Sequence, residues 1–351
     1  MAKLILHVGA HKTGTTYLQR MFDRNRARLR AAGLIYPDIG PNDAHHALAA
    51  PWIDVDVPEG FYGKEGPDGL WRQLVETHAD QDGTVILSAE NFSRARPRRV
   101  DMAELAQKLA PFDEVRVVYT LRRQVELVPA VWTQVAKSRK AMPLRPYIDR
   151  VMEERLAYGV PLDHGRVYAH LLKGFAPEQI VLQDYAQARR APGGILGSFL
   201  ALTGHDLDPA RLSSLPRSDA NISPDPLAMF MAAQISDQAV PPEDMVKRIS
   251  AVLTADGQGP TTLMTRHEYK RIDTMFRRRN AELVERVQPW QPGFSIEERD
   301  PSEGMIFRDD ITQNHWAEIA AEFYRASQGW TPPHAPWRSV APVLRRLRRR
   351  I

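Results

Sequence analysis

Residues 3–19, KLILHVGAHKTGTTYLQ, decide how the chain is organised. The stretch 3–8 (KLILHV) is short, apolar and without a helical period, the pattern of a strand buried on both faces. A loop bearing Gly9 and Gly14 follows at once. From Thr15 the spacing of Tyr17, Leu18, Met21, Phe22 and Leu29 predicts an amphipathic helix ending near Gly33. A strand, a glycine loop and a helix in that order turn successive backbone N–H groups into one concavity at the positive end of a helix dipole. Lys12 adds a mobile point charge, Thr15 and Thr16 add hydroxyls, and the two glycines let backbone approach a ligand closely. This is what holding a phosphate-like anion requires, and it makes His11, Lys12, Thr13, Gly14, Thr15 and Thr16 the candidate binding set. The loop is not a Walker A sequence, in which lysine directly follows the second glycine; here Lys12 stands two residues before Gly14.

Outward from this loop, TVILS (84–88), VRVVYTL (115–121) and QIVL (179–182) read as further buried strands. Helical patterns at 70–78, 101–110, 124–139, 145–173 and 193–204 separate or follow them, with Pro129 kinking the third or marking its first turns. Apolar strands alternating with helices predict an α/β fold of three layers, a central parallel sheet covered on both faces. Residues 36–68, rich in Pro, Gly and Asp, form a long irregular connection of the kind that serves as a functional loop. Beyond about residue 208 the pattern is mostly helical, broken at 208–226 and 256–260, with a long helix over 266–287. Residues 1–330 are expected to form one domain with a helical elaboration over 208–290.

The chain has 351 residues, 43% hydrophobic and 26% charged, the balance of a globular protein with a sizeable core. No run approaches the roughly 18 apolar residues of a membrane span. With no cysteine, disulfides, thiol nucleophiles and cysteine-ligated metals are excluded, and the cytoplasm is the expected location. The net charge of +4 is local: residues 338–351 hold six arginines and no acid, leaving 41 basic against 43 acidic residues in the body. A body so balanced is not a nucleic-acid binder, and any anion site in it must be built from a few placed groups. The tail, WRSVAPVLRRLRRRI, mixes cations with Val343, Leu344, Leu347 and Ile351. It reads as a disordered basic tail or as a peripheral contact with an anionic membrane surface, each arginine there contributing about 1 kcal/mol. In the second case the protein sits at the inner face of the membrane.

HVGAHKTGTTYLQ resembles the 5′-phosphosulfate loop of P-loop sulfotransferases, particularly bacterial members with a Lys-Thr-Gly-Thr-Thr core. SAENFSR (88–94), YTLRRQ (119–124), GFAPEQIVLQDYAQ (174–187), SDANISPDPL (218–227) and RRRNAELVERV (277–287) are similar to later landmarks of that family. The resemblance implies a fold like that of nucleotide kinases. It also implies 3′-phosphoadenylyl sulfate as donor co-substrate, no required metal, and transfer of the sulfuryl group to a hydroxyl or amine of a small-molecule or glycan acceptor. By the family pattern Lys12 meets the leaving phosphate, the Thr15 and Thr16 amides hold the 5′-phosphate, and Arg122 binds the 3′-phosphate. Where the pattern places a serine eight residues after that arginine, this chain has Ala130, with Thr133 and Ser138 the nearest hydroxyls along the helix.

Arg122 and Arg123 close the third of the long strands, at the edge where open α/β sheets bind ligands, and guanidinium suits a dianion. Glu90 follows the TVILS strand at the same edge and reads as a base for the acceptor proton or as a capping carboxylate. His45 and His46 lie in the long connection, where a neutral imidazole is a suitable base; His11 reads as facing the acceptor or packing the turn. His7 is expected to be structural, and Asn280 with the arginines at 277–279 reads as a solvated helix face or as a contact with the donor nucleotide. The histidine spacing fits no metal motif. Two other functions remain open, a kinase or NTPase with Glu90 in the place of a Walker B acid, and a catalytically weak nucleotide-binding protein. Acceptor specificity is expected in the 36–68 and 208–265 segments.

Overall fold

The computed structural model describes residues 1–216, 224–255 and 259–328. The basic tail at 338–351 and most of the 218–227 landmark lie outside the described residues. The strands are β1 (Lys3–His7), β2 (Leu34–Ile35), β3 (Thr84–Ser88), β4 (Glu114–Leu121), β5 (Leu156–Ala157), β6 (Val160–Pro161) and β7 (Ile180–Asp184). The first seven helices are α1 (Thr15–Arg24), α2 (Arg26–Ala31), α3 (Gly66–His78), α4 (Met102–Leu109), α5 (Gln124–Ala136), α6 (Leu144–Glu154) and α7 (His164–Leu171). They are followed by α8 (Tyr185–Arg190), α9 (Gly194–Ala201), α10 (Pro226–Ser236), α11 (Glu243–Leu253), α12 (Arg266–Val287) and α13 (Gln313–Ser327).

Five strands make one parallel sheet in the order β2-β3-β1-β4-β7, with β1 paired to β3 from Lys3↔Thr84 to His7↔Ser88 and to β4 from Lys3↔Glu114 to His7↔Val118. Alternation along each strand feeds two apolar layers. Leu4, Leu6, Val85, Leu87, Val117 and Tyr119 pack with α3, α4 and α7, while Ile5, Ile86 and Val118 pack with α1, α2 and α9. The result is the three-layer α/β fold expected from the sequence, with the mostly helical C-terminal part also in place. A second apolar core gathers α5, α6, α10, α11 and α13. Helix α12 joins the two cores, since Ile272 and Phe276 enter the helical one and Leu283 and Val287 the sheet's.

Three local expectations are corrected. The first helix does not run unbroken to Gly33: Asn25 stops it, giving its side-chain amide to the carbonyls of Met21 (2.9 Å) and Ser213 (3.0 Å) and accepting from the Ser213 amide (2.7 Å). A short edge strand, β2, follows at a position for which no element was expected. The helical stretch 145–173 is split by the antiparallel β5–β6 hairpin, whose two turn residues, Tyr158 (φ 48°) and Gly159 (φ 85°), both take positive φ as a tight hairpin turn requires.

Candidate functional site

Strand pairing carries past the end of β1 and builds the loop. The Val8 and Ala10 amides donate to Val118 O (2.9 Å) and Thr120 O (2.6 Å), and the Thr120 amide donates back to Gly9 O (2.6 Å). The ends of β1, β3 and β4 therefore deliver Lys12, Glu90 and Arg122 to one crevice at the sheet's carboxyl edge. Gly9 (φ 90°) is obligatory there, because a Cβ would stand 2.8 Å from the Glu90 Cβ. Thr13 is buried and clasps the turn, its hydroxyl donating to Ala10 O at 2.6 Å. Gly14 (φ 82°) caps α1 with no side-chain hydrogen bond, so the first-turn amides of Thr15 and Thr16 keep their donors for a ligand. Thr15 itself is buried, and its contribution is the amide rather than the hydroxyl.

Lys12 also has positive φ (62°), which lifts its side chain across the crevice to donate to the Gln134 amide oxygen on α5. Among the described residues no carboxylate pairs with it. Burial, then the nearby Lys137 and Arg122, lower its pKa from 10.5 to about 8 against the opposing pull of Glu90. Gln134 occupies the face of α5 one turn beyond Ala130, and its long side chain leans toward the helix N-terminus. It thus gives Lys12 the polar neighbour that the absent serine does not. Ser138 instead donates to Val135 O (3.2 Å), and Thr133 is buried with its hydroxyl unpartnered.

Arg122 lies beside the loop, donating to Lys12 O (3.0 Å) and Glu126 (3.2 Å), with its guanidinium 5.1 Å from the Tyr185 ring. His164 braces it from behind, one ring nitrogen on Arg122 O (2.9 Å) and the other on the Tyr119 hydroxyl (2.9 Å). Arg123 goes elsewhere. It is buried and pairs with Asp273 of α12 at 2.8 Å, so the expectation that both arginines face the crevice is corrected: only Arg122 does.

Glu90 faces the crevice from β3, and each of its oxygens looks at an imidazole: Oε1 at His11 Nδ1 (3.8 Å) and Oε2 at His46 Nε2 (3.7 Å). Gln19 donates to the same Oε2 at 3.2 Å. Burial works to raise its pKa, but His46, His11, its own backbone amide and Gln19 outweigh that and hold the carboxyl below its ordinary value. The far nitrogens, His11 Nε2 and His46 Nδ1, are buried and without a partner. Burial lowers the pKa of His11 to about 4, so it stays neutral.

His45 does not belong to this group. Its Nδ1 accepts from the Ser88 amide (2.9 Å), which leaves Nε2 to donate to Pro37 O (3.0 Å). Burial keeps its pKa near 4, and with both nitrogens engaged it holds the long connection against β3 instead of taking a proton. His7 is structural as expected, bonded to Ser88 Oγ at 2.9 Å. Asn280 is buried rather than solvated, exchanging hydrogen bonds with Gln124 at 3.0 and 3.1 Å. Of the adjacent arginines, Arg278 is exposed and pairs with Glu282 on its own helix (3.0 Å), whereas Arg277 pairs with Asp273 (2.7 Å) and Arg279 with Asp163 (3.1 Å).

Sequence reasoning missed Gln19, Gln134 and His164, all of which act across the fold. Only Gln134 left a signal, its i+4 relation to Ala130.

No protein-family model and no curated protein matches the chain. Among solved structures it is similar to a sulfotransferase from Alicyclobacillus acidocaldarius, 16% identical with a TM-score of 0.39 over 68% of this chain and 92% of that one. A mouse sulfotransferase complexed with PAP is 11% identical, with a TM-score of 0.39 over 82% of this chain and 88% of that one. The sulfotransferase domain from the curacin biosynthetic pathway is 12% identical, with a TM-score of 0.35 over 79% and 98%. Likenesses this distant say nothing of chemistry, which rests on the residues of the crevice. Among the described residues no helix is long and apolar enough to cross a membrane.

Proposed function

We propose that the chain is a sulfotransferase that moves a sulfuryl group from 3′-phosphoadenylyl sulfate to a hydroxyl or amine of a carbohydrate or other acceptor by in-line displacement. One observation carries this reading: an ammonium that meets no carboxylate among the described residues belongs to the loop leading into an uncapped helix N-terminus, with a carboxylate and two imidazoles in the same crevice. The first group suits an anion whose charge grows during reaction, the second a proton that must leave.

In this reading the Thr15 and Thr16 amides hold the 5′-phosphate and Arg122 the 3′-phosphate. The acceptor oxygen attacks sulfur as the bond from sulfur to the bridging oxygen breaks. Lys12 leaves Gln134 to meet the charge that accumulates on that oxygen, a type of contact whose loss raises a barrier by about 3–4 kcal/mol. His46 takes the acceptor proton on its unpartnered Nδ1, which is buried and is uncovered by a turn of the ring as the acceptor enters, while Glu90 orients the ring through Nε2 and stabilises the imidazolium. The 3.7 Å separation is long for a hydrogen bond and shortens when the crevice fills. Glu90 turned toward imidazoles supports this assignment over that of a metal-holding acid in an NTPase.

Incubation with radiolabelled donor and a panel of sulfatable glycans, lipids and phenols, with and without chelator, tests the proposal. Label should appear in an acceptor, chelator should not stop it, and Lys12→Met should slow it by about 100-fold or more. Hydrolysis of ATP–Mg²⁺ by a chain that transfers no label would refute it.

A further inference from the structure

Two guanidinium groups near the crevice have, among the described residues, no carboxylate at ion-pairing distance, and Arg94 feels only the more distant charge of Glu90. Arg94, at the end of the turn that carries Glu90, is half-buried, and its only described hydrogen bonds go to the carbonyls of Arg96 (3.0 Å) and Tyr158 (3.4 Å). Arg139, just past α5, lies over the Tyr158 ring at 5.9 Å. Among the described residues neither meets a carboxylate within ion-pairing distance, although most other arginines of the body do. They are close enough that Arg139, after burial, lowers the proton affinity of Arg94 against the opposing pull of Glu90, and Arg94 in turn acts on His11.

This juxtaposition is built. The β5–β6 hairpin projects Tyr158 between the two arginines, with its carbonyl toward Arg94 and its ring under Arg139. The Tyr158 hydroxyl accepts from the Met142 amide (2.6 Å), its ring stacks on Tyr147 (5.3 Å), and the Ala95 amide donates to Gly159 O (3.1 Å). A half-buried cation beside a second cation is unfavourable unless an anion completes it. Guanidinium forks match carboxylate and sulfate oxygens in pairs.

We propose that Arg94 and Arg139, set on Tyr158, form an anion subsite for the acceptor, and hence that the acceptor carries a carboxylate or ester-linked oxyanion close to the group that is sulfated. Arg94 enters the subsite from the turn that carries Glu90, whereas Arg122, assigned to the donor, is bonded to the backbone of the Lys12 loop. Its role in acceptor choice rests on the sulfotransferase reading; its affinity for an anionic sugar does not.

Calorimetric titration of the full chain, without donor, separates the two. The probes are a glucuronate-bearing hexasaccharide, its carboxyl-reduced counterpart, and a sulfated form of the latter; 3′,5′-bisphosphoadenosine is titrated in parallel to read the donor site. At least one anionic probe should bind about tenfold or more tighter than the neutral one, and Arg94→Gln and Arg139→Gln should each erase most of that preference at an unchanged thermal midpoint. Equal binding of charged and neutral probes overturns the subsite, as does a preference that survives in Arg94→Gln/Arg139→Gln. Loss of bisphosphoadenosine binding with retained anionic-sugar binding would fall on the donor reading alone. A variant that lowers the midpoint is replaced by Arg94→Lys, which keeps charge and loses the fork; full retention of preference there and in Arg139→Lys also counts against the paired geometry.

Discussion

Replacing Lys12 by Met should make the protein more stable and inactive at once. Burial and neighbouring cations hold the Lys12 pKa at about 8 instead of 10.5. At about 1.4 kcal/mol per tenfold change in proton affinity, the charged side chain opposes folding by about 3 kcal/mol. Met keeps the stem and the volume, removes the charge, and loses the hydrogen bond to Gln134, worth about 1 kcal/mol. The net gain is about 2 kcal/mol, or roughly 3 °C in thermal midpoint for a chain of this length. The sign depends on pH. Below about 8 both folded and unfolded wild-type chains are protonated and the cost is complete; between about 8 and 10.5 the unfolded chain binds a proton that the folded one lacks, so wild-type stability rises with pH. Thermal melts of both proteins at about pH 7 and about pH 10 should show the variant's advantage shrinking. A variant less stable than wild type at the lower pH, or an advantage independent of pH, would refute the claim that Lys12 is an uncompensated cation awaiting an anion.

Gly9→Ala should lower both the melting temperature and the affinity for 3′,5′-bisphosphoadenosine, because the added methyl meets Glu90 at 2.8 Å and the residue is held at φ 90°; strain of this kind costs about 1–2 kcal/mol, and melts with titration measure both effects. His45→Ala should cost about 1–3 kcal/mol in denaturant unfolding by orphaning the Ser88 amide and Pro37 carbonyl. His46→Ala should instead keep its unfolding midpoint and slow transfer by about 100-fold or more in single-turnover assays. Arg122→Ala should weaken bisphosphoadenosine binding by about tenfold or more, whereas Arg123→Ala should leave binding intact and lower stability through the loss of its Asp273 pair.

Four of the sheet's five strands, all but the two-residue β2, were legible because they are short apolar runs whose character does not depend on context, and α12 because its Thr265–Glu268 capping box and long period define it locally. Contacts distant in sequence were not. Asn25 breaks the first helix only because Ser213 comes to meet it, and Tyr158 ends up between two arginines only because a hairpin interrupts an otherwise helical pattern. The loop from Gly9 to Thr16 and the presence of Arg122 and Glu90 at the same edge followed from strand–loop–helix order. Which of two adjacent histidines faces Glu90 did not, since His45 and His46 differ only in the direction that the turn gives them. The same holds for Arg122 and Arg123, which a strand end sends to opposite sides.

The central claim is that this loop grips an adenylyl bisphosphate through backbone amides, Lys12 and Arg122, without help from a divalent ion. Titration of the wild-type chain in chelator with 3′,5′-bisphosphoadenosine, with AMP, and separately with ATP–Mg²⁺ tests it most directly. The bisphosphate should bind in chelator and exceed AMP by about tenfold or more, the share owed to the guanidinium at its 3′-phosphate. Tighter binding of ATP–Mg²⁺, or no distinction between the bisphosphate and AMP, would contradict it.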